Sequence, residues 1–279
     1  MQFTGSDSYY LNPELGMIVH MAMQMDKPLL LTGEPGTGKT QLAFEISRSL
    51  KMPLEVLRAK STIKGEEACY VQDTVLRLND ARFGSEQTGR NINQFFDYIV
   101  WGPIGRAFRS EERVVLLLDE IDKTESDVQD NLLDVLDEKQ FTIREVNQVI
   151  QAKHNPLIII TSNAKRELSD PFLRRCFCHH LAFPGREEMT QIVRLHYPDL
   201  EADWLDTALN LFYELRARGF EKAPATSELL DWIQAVRHTQ SDISVPDKIP
   251  FIGTLLKRTE DILAYRKGPQ RSQGKQRGW

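Results

Sequence analysis

Cysteine is scarce in this sequence, with three residues among 279. So low and odd a number argues against a disulfide framework and fits a reducing compartment. Long apolar runs are missing as well: the longest, Val114–Leu118, has five residues, whereas a membrane span needs about 20. No basic stretch followed by an apolar one opens the chain, so a secretory signal is not expected. These absences predict a cytoplasmic protein without a membrane span.

Positive charge is in deficit, since 35 lysines and arginines face 40 aspartates and glutamates. The resulting net charge of −5 gives no reason to expect non-specific binding of nucleic acid. The bases are unevenly placed, because residues 266–279 contain five of them and no acid. Rich in glutamine, glycine and bases, residues 267–279 are expected to form a disordered basic tail. The 41% of hydrophobic residues is enough for a globular core.

Short apolar runs alternate with amphipathic patterns over residues 1–185. Leu29–Thr32, Val114–Leu118 and Leu157–Thr161 predict buried strands. Apolar residues at helical spacing predict a helix over Ser126–Lys139. This alternation indicates an α/β domain over residues 1–185.

Two stretches have other patterns. Residues 58–95 are polar and weakly periodic, which predicts loops with short helices. After Gly185 the periodicity is helical only, and the last predicted helix runs over Pro250–Tyr265. Residues 186–266 are therefore expected to form a small α-helical domain that follows the α/β domain.

A glycine-rich segment follows the first predicted strand and precedes a predicted helix. It reads Gly33-Glu34-Pro35-Gly36-Thr37-Gly38-Lys39-Thr40 and fits the pattern G-x-x-x-x-G-K-[ST]. Glycines let the backbone wrap closely enough for several N–H groups to point at a phosphate, and the helix N-terminus adds positive charge. In such a loop Lys39 neutralises phosphate oxygens and the Thr40 hydroxyl binds Mg²⁺. The segment predicts a nucleotide site with Mg²⁺ as metal.

Two carboxylates follow the strand Val114–Leu118, at its carboxyl end. Ligands bind at this edge of open α/β sheets, which brings Asp119 and Glu120 towards the phosphate loop. We expect Asp119 to hold Mg²⁺ and Glu120 to orient and activate the attacking water. For Asp122 and Lys123, which come next, a surface position and a contact with the site or a neighbouring subunit both remain open.

The loop and the acidic pair together resemble those of the AAA+ ATPases, and of the MoxR-like branch in particular. The resemblance extends over Tyr10–Trp232 and implies ATP as the nucleotide. It implies for residues 1–185 a nucleotide-binding domain with the P-loop NTPase fold, an α/β three-layer sandwich with a parallel sheet. It implies that Asn163, which ends the run Leu157-Ile-Ile-Ile-Thr-Ser-Asn163, is a polar sensor that holds the lytic water or the γ-phosphate. It also implies an arginine finger that reaches the ATP of the next subunit, at Arg175, with Arg174 as the alternative.

The same resemblance implies a homo-oligomer, a hexameric ring, in which the helical domain is the AAA+ lid. Ser227 occupies the place of a lid arginine that senses the nucleotide, so that role is either lost or taken by Lys222 or Arg237. MoxR-like proteins are associated with partners that carry a von Willebrand factor A domain and with the activation of protein complexes. We therefore expect ATP hydrolysis that remodels a protein client.

Two other functions remain open. The basic tail supports a nucleic-acid-directed motor of the restriction-system type, but the acidic body and the lack of a recognition fold argue against a nucleic-acid partner. The Ser227 departure supports a slow nucleotide switch that serves as a scaffold in signalling or defence.

Overall fold

The computed structural model describes residues 3, 5–84, 89–164, 166–243, 245 and 248–267. Within them the chain forms two compact units. One contains the described residues up to Glu34 and those from Gly38 to Phe183, and the other contains Pro35–Thr37 and the described residues from Pro184 onwards. The predicted tail at 267–279 lies, apart from Lys267, outside the described residues. The domain borders at 185 and 266 stay predictions.

The first unit is built around a parallel β-sheet. The described strands are, in chain order, β1 (Leu29–Gly33), β2 (Leu54–Arg58), β3 (Tyr70–Gln72), β4 (Ile99–Trp101), β5 (Val115–Asp119), β6 (Gln140–Ile143), β7 (Gln148–Gln151), β8 (Leu157–Ser162) and β9 (Phe177–Leu181). Five of them form the sheet in the order β2-β5-β8-β1-β9, and β3-β4 and β6-β7 are antiparallel pairs. The helices of this unit are α1 (Pro13–Met25), α2 (Lys39–Leu50), α3 (Thr74–Phe83), α4 (Pro103–Arg109), α5 (Ser126–Glu138) and α6 (Asp170–Arg175). The predicted α/β fold is confirmed.

Both faces of this sheet are covered by apolar packing. On β5, Leu116 and Leu118 belong to a core cluster with residues of α4 and α5, whereas Val115 and Leu117 belong to a second cluster with α1 and α2. Successive side chains of a strand point to opposite faces. A strand that is buried on both faces is therefore apolar along nearly all of its length, which is why Val114–Leu118 is an unbroken run.

The stretch 58–95 differs from its prediction. It contains α3 and also β3, which pairs with β4 so that Val71 lies opposite Val100. Both valines are exposed, by 44% and 59%. Strands of three residues with exposed apolar side chains have no periodicity that distinguishes them from a loop, so the prediction omitted this small sheet.

The second unit consists of helices. They are α7 (Arg186–His196), α8 (Ala202–Ala217), α9 (Thr226–Thr239), α10 (Ile252–Leu255) and α11 (Thr259–Lys267). Trp232 and Phe212 are fully buried in its interior, and Trp204 stacks on Trp232 with ring centroids 6.4 Å apart. The single helix predicted over Pro250–Tyr265 is wrong, because Leu256 has extended backbone and ends α10. In the described part of the chain, no helix is long and apolar enough to cross a bilayer.

Candidate active site

The glycine-rich segment connects β1, which ends at Gly33, to α2, which begins at Lys39. Gly36 and Gly38 have φ angles of 81° and 87°, in the left-handed region that costs a residue with a Cβ about 1–2 kcal/mol. Gly38 is the N-cap of α2 and offers no side chain to the first N–H groups of the helix. Those groups are therefore available to an anion and, with the positive end of the helix dipole, favour phosphate.

Lys39 is folded against this loop. Its Nζ donates to the carbonyl oxygens of Gly33 and Glu34, both at 2.8 Å, and the residue is 6% exposed. Burial lowers the pKa of Lys39, while nearby carboxylates, Asp122 foremost, oppose the shift. The loop thus holds a buried amine beside the helix N-terminus.

Thr40 lies against the first of the two predicted carboxylates. Its hydroxyl donates to Oδ1 of Asp119 at 2.7 Å, which joins the start of α2 to the end of β5. A hydroxyl beside a carboxylate supplies the oxygen ligands that Mg²⁺ prefers, and one or two carboxylates suffice where phosphate and water complete the shell. The Thr40–Asp119 pair therefore fits Mg²⁺ bound together with a nucleotide.

Glu120 lies in the turn after β5 and has a left-handed backbone, with φ 57° and ψ 49°. Its Oε1 accepts a hydrogen bond from Nδ2 of Asn163 at 2.8 Å, and its Oε2 accepts one from Nζ of Lys123. The hydrogen bond to Glu120 raises the pKa of Lys123. The two residues predicted to handle the lytic water, Glu120 and Asn163, are thus in direct contact, and Lys123 binds the same carboxylate.

Two buried residues hold these groups in place. Thr161, 1% exposed, donates to Oδ1 of Asp119 and accepts from the backbone N–H of Glu120, both at 2.8 Å. Asp122, 2% exposed, accepts from the backbone N–H of Asn163 at 3.2 Å. Thr161 was not among the residues predicted from the sequence, although a hydroxyl within an apolar strand is a usable signal. For Asp122 the surface alternative is wrong.

A comparison with known families shows which family the chain belongs to. Residues 28–176, more than half of the chain, match the family model of the AAA domain, dynein-related subfamily. The chain belongs to this family. It is thereby a member of the AAA+ ATPases, which bind nucleotide and typically assemble into oligomeric rings.

Two curated relatives resemble this AAA chain at low identity. The gas vesicle ATPase GvpN of Haloferax mediterranei is 24% identical over 206 residues, which make up 70% of this chain and 58% of GvpN. The peroxisomal Lon protease homolog 2 of Arabidopsis thaliana is 29% identical over 198 residues, 64% of this chain and 20% of that protein. The AAA chain therefore spans less than two thirds of the length of either relative.

A solved structure supports the fold. A RuvB mutant of Thermotoga maritima superposes with a TM-score of 0.52 at 17% sequence identity, over 96% of this chain and 73% of its own. At this identity the likeness concerns the fold alone.

The two arginines considered as a finger differ in their contacts on α6 of the AAA domain. Arg175 forms ion pairs with α5, from Nη1 to Oδ1 of Asp134 at 3.5 Å and from Nε to Oδ2 of Asp137 at 3.4 Å. Arg174 is exposed, and among the described residues it has no hydrogen bond or ion pair. Arg174 is therefore the one whose guanidinium is available to a second molecule.

The residues considered for the lid sensor are all engaged within the helical unit. The Ser227 hydroxyl donates to Oε2 of Glu228 at 2.9 Å, and Nζ of Lys222 donates to Oε1 of the same carboxylate at 3.3 Å. Arg237 forms an ion pair with Asp199. Each of the three thus has a partner within its own unit.

Proposed function

We propose that this AAA chain binds ATP with Mg²⁺ at the loop 33–40 and hydrolyses it. The observation that carries the proposal is that the groups needed for the reaction meet across three elements. Lys39 and Thr40 begin α2, Asp119 ends β5 within hydrogen-bond distance of Thr40, and the Glu120–Asn163 contact follows directly. Family membership independently favours ATP as the nucleotide.

Each residue has a distinct task in this proposal. Backbone N–H groups of the loop bind phosphate, and Lys39 neutralises its oxygens. Thr40 and Asp119 hold Mg²⁺, which when bound spreads the negative charge of the triphosphate. Glu120 orients the attacking water and accepts its proton. Asn163 fixes the Glu120 carboxylate and offers its amide to the water or the γ-phosphate.

The amide of Asn163 gives the sharpest test of this assignment. Asn163→Ala is expected to lower kcat about 10²–10³-fold, the range for the loss of one positioned donor. The KM for ATP should hardly change, because the loop and the metal ligands remain. Asn155→Ala is the matched control. Asn155 lies before the amino end of β8, and its side-chain amide donates to Asp26. Wild-type kcat in Asn163→Ala would remove Asn163 from the reaction.

We propose further that the active form is a ring, hexameric as in the resemblance, with a finger on α6. The exposed Arg174 is the better finger of the two, because Arg175 is paired with α5. Arg174→Ala should bind ATP normally but lose about 10³-fold or more in turnover.

Complementation between subunits tests this assignment of the finger. In a mixed ring, the Glu120→Gln subunits supply Arg174 and the Arg174→Ala subunits supply Glu120. Adding Glu120→Gln subunits should therefore restore turnover at the sites of the Arg174→Ala subunits. Restoration confined to Arg175→Ala would place the finger there. Restoration of neither variant would contradict a finger on α6.

The proposed substrate of the motor is a protein client or complex, and the proposed partner carries a von Willebrand factor A domain. The support is the resemblance of the loop 33–40 and of Leu117–Lys123 to the MoxR-like branch. A pull-down with Glu120→Gln and ATP should trap the client, and Lys39→Ala, which is expected to bind ATP more weakly, is the control at low ATP concentration. Equal capture by both variants would contradict an ATP-driven client cycle.

A slow nucleotide switch is the second candidate. It is favoured by the engagement of Ser227 and Lys222 with Glu228, which leaves the lid sensor role without an evident replacement. Turnover of the assembled wild type separates the two functions. A rate far below about 1 s⁻¹, the low end for typical enzymes, would favour the switch, and a higher rate would favour the motor.

A further inference from the structure

Thr161 is the buried residue that contacts both carboxylate positions of the candidate site. We propose that it is a positioning residue, which sets the Asp119 carboxylate for Mg²⁺ and the Glu120 backbone for the attack on ATP. The inference rests on the proposed ATPase function. It extends that function to a residue whose hydroxyl acts through its two neighbours, Asp119 and Glu120.

The Thr161 hydroxyl donates one hydrogen bond and accepts another. A hydroxyl has one hydrogen to donate and two lone pairs. Thr161 uses the hydrogen on Oδ1 of Asp119 and one lone pair on the N–H of Glu120, both at 2.8 Å. Oδ1 of Asp119 also accepts from Thr40 at 2.7 Å. Two donors on one oxygen fix the rotation of the carboxylate, so its remaining lone pairs have a defined direction.

The Glu120 backbone is bonded to Thr161 through its N–H group. Its left-handed conformation is unfavourable for a residue with a Cβ and persists where the surroundings determine it. The bond from its N–H to Thr161 holds the backbone, while Asn163 and Lys123 bind the carboxylate. Loss of the Thr161 acceptor would release the backbone end of this arrangement.

The register of the sheet places Thr161 beside Asp119. Strands β5 and β8 are parallel neighbours in which Leu118 lies opposite Ile160, so the next position on each strand brings Asp119 beside Thr161. A β-branched side chain has a stiff χ1 angle, and Thr161 is 1% exposed. The hydroxyl is therefore held in one orientation by the strand itself.

The test compares Thr161→Val with Thr161→Ser. Valine keeps the shape and loses the hydroxyl, whereas serine keeps the hydroxyl. In Thr161→Val, the Mg²⁺ concentration that half-saturates binding of methylanthraniloyl-ADP should rise about 10–100-fold, the range for loss of an outer-shell partner of a metal ligand. kcat should fall by a similar factor, while nucleotide binding without Mg²⁺ stays unchanged. Thr161→Ser should recover most of both losses.

A control and a measurement without nucleotide separate positioning from damage to the fold. Ser47→Ala removes a hydroxyl that donates to the Met52 carbonyl at the far end of α2, and should behave as wild type. In the protein alone, the Glu120 amide should exchange its hydrogen faster in Thr161→Val than in wild type or Thr161→Ser. If Thr161→Val does not fold, Thr161→Cys, a weaker hydrogen-bonding group, should show the same changes at smaller size.

Three results would overturn the proposal. A folded Thr161→Val with wild-type Mg²⁺ dependence and kcat would remove Thr161 from the site, while leaving the ATPase function intact. Equal loss in Thr161→Val and Thr161→Ser would assign the effect to packing rather than to the hydroxyl. Absence of Mg²⁺-dependent nucleotide binding in the wild type would overturn the proposed function, and the role of Thr161 with it.

Discussion

Replacement of Lys39 by alanine has a consequence whose size follows from its contacts. Nζ makes two hydrogen bonds of 2.8 Å, to the carbonyls of Gly33 and Glu34, in a loop where the side chain is 6% exposed. Hydrogen bonds of a charged group contribute about 1.5–3 kcal/mol each. If Nζ donates its third hydrogen to a bound phosphate oxygen, Lys39→Ala loses about 1.5–3 kcal/mol of binding free energy, or about 10–10²-fold in Kd.

The assay is a fluorescence titration of methylanthraniloyl-ADP with Mg²⁺, with circular dichroism to verify that the variant is folded. Lys153→Ala is the matched control: Lys153 is exposed and pairs with Glu111 beyond the amino end of β8. An exposed pair of this kind contributes about 0–1 kcal/mol, and its loss should leave the Kd unchanged. A folded Lys39→Ala with a Kd within about threefold of wild type, or an equal loss of affinity in Lys153→Ala, would show that Lys39 does not bind the phosphate.

Two further predictions concern the supports of the first unit. Glu45, fully buried, accepts hydrogen bonds from Ser6 and Gln41, both at 2.7 Å; burial raises the pKa of Glu45, but these bonds outweigh it and the net pKa is lowered. Glu45→Gln should therefore lower the free energy of unfolding by about 1–3 kcal/mol at neutral pH. In urea denaturation, this difference from wild type should persist above the unfolded pKa of about 4.3 and vanish as the pH falls through the lower folded pKa. A difference that stays constant from pH 7 to pH 2 would contradict this prediction. The Tyr70 hydroxyl donates to Glu145 at 2.9 Å. Tyr70→Phe should therefore lower the free energy of unfolding by about 0.5–1.5 kcal/mol and speed hydrogen exchange in the β6–β7 hairpin. Unchanged exchange in the hairpin would disprove that this hydrogen bond stabilises it.

The central strands could be predicted because two-sided burial leaves a mark in the sequence. β5 over Val115–Leu118 and β8 over Leu157–Ile160 are buried on both faces and apolar at each of these positions, and their runs stand out for that reason. The pair β3–β4 has three residues a strand and an exposed valine on each. Its existence depends on tertiary pairing, which strands of three residues do not encode in any periodic form.

The candidate site divides in the same way. The loop 33–40 and the pair Asp119–Glu120 could be predicted because phosphate and metal chemistry require particular residue types at a fixed spacing. Thr161 contacts Asp119 from a neighbouring strand, and the ion pairs of Arg175 depend on how α6 packs against α5. Such roles arise from tertiary contacts between residues far apart in the chain, which a sequence read segment by segment does not show.

In the proposed function, Glu120 activates water for attack on ATP held by the loop 33–40. The most direct measurement is phosphate release from ATP with Mg²⁺ by wild type and by Glu120→Gln, at equal assembly and with ATP affinity measured in parallel. We predict that Glu120→Gln binds ATP as tightly as wild type while kcat falls about 10²–10⁴-fold, the range for loss of a general base. Undiminished phosphate release by Glu120→Gln, in a preparation where Lys39→Ala is inactive, would contradict the claim.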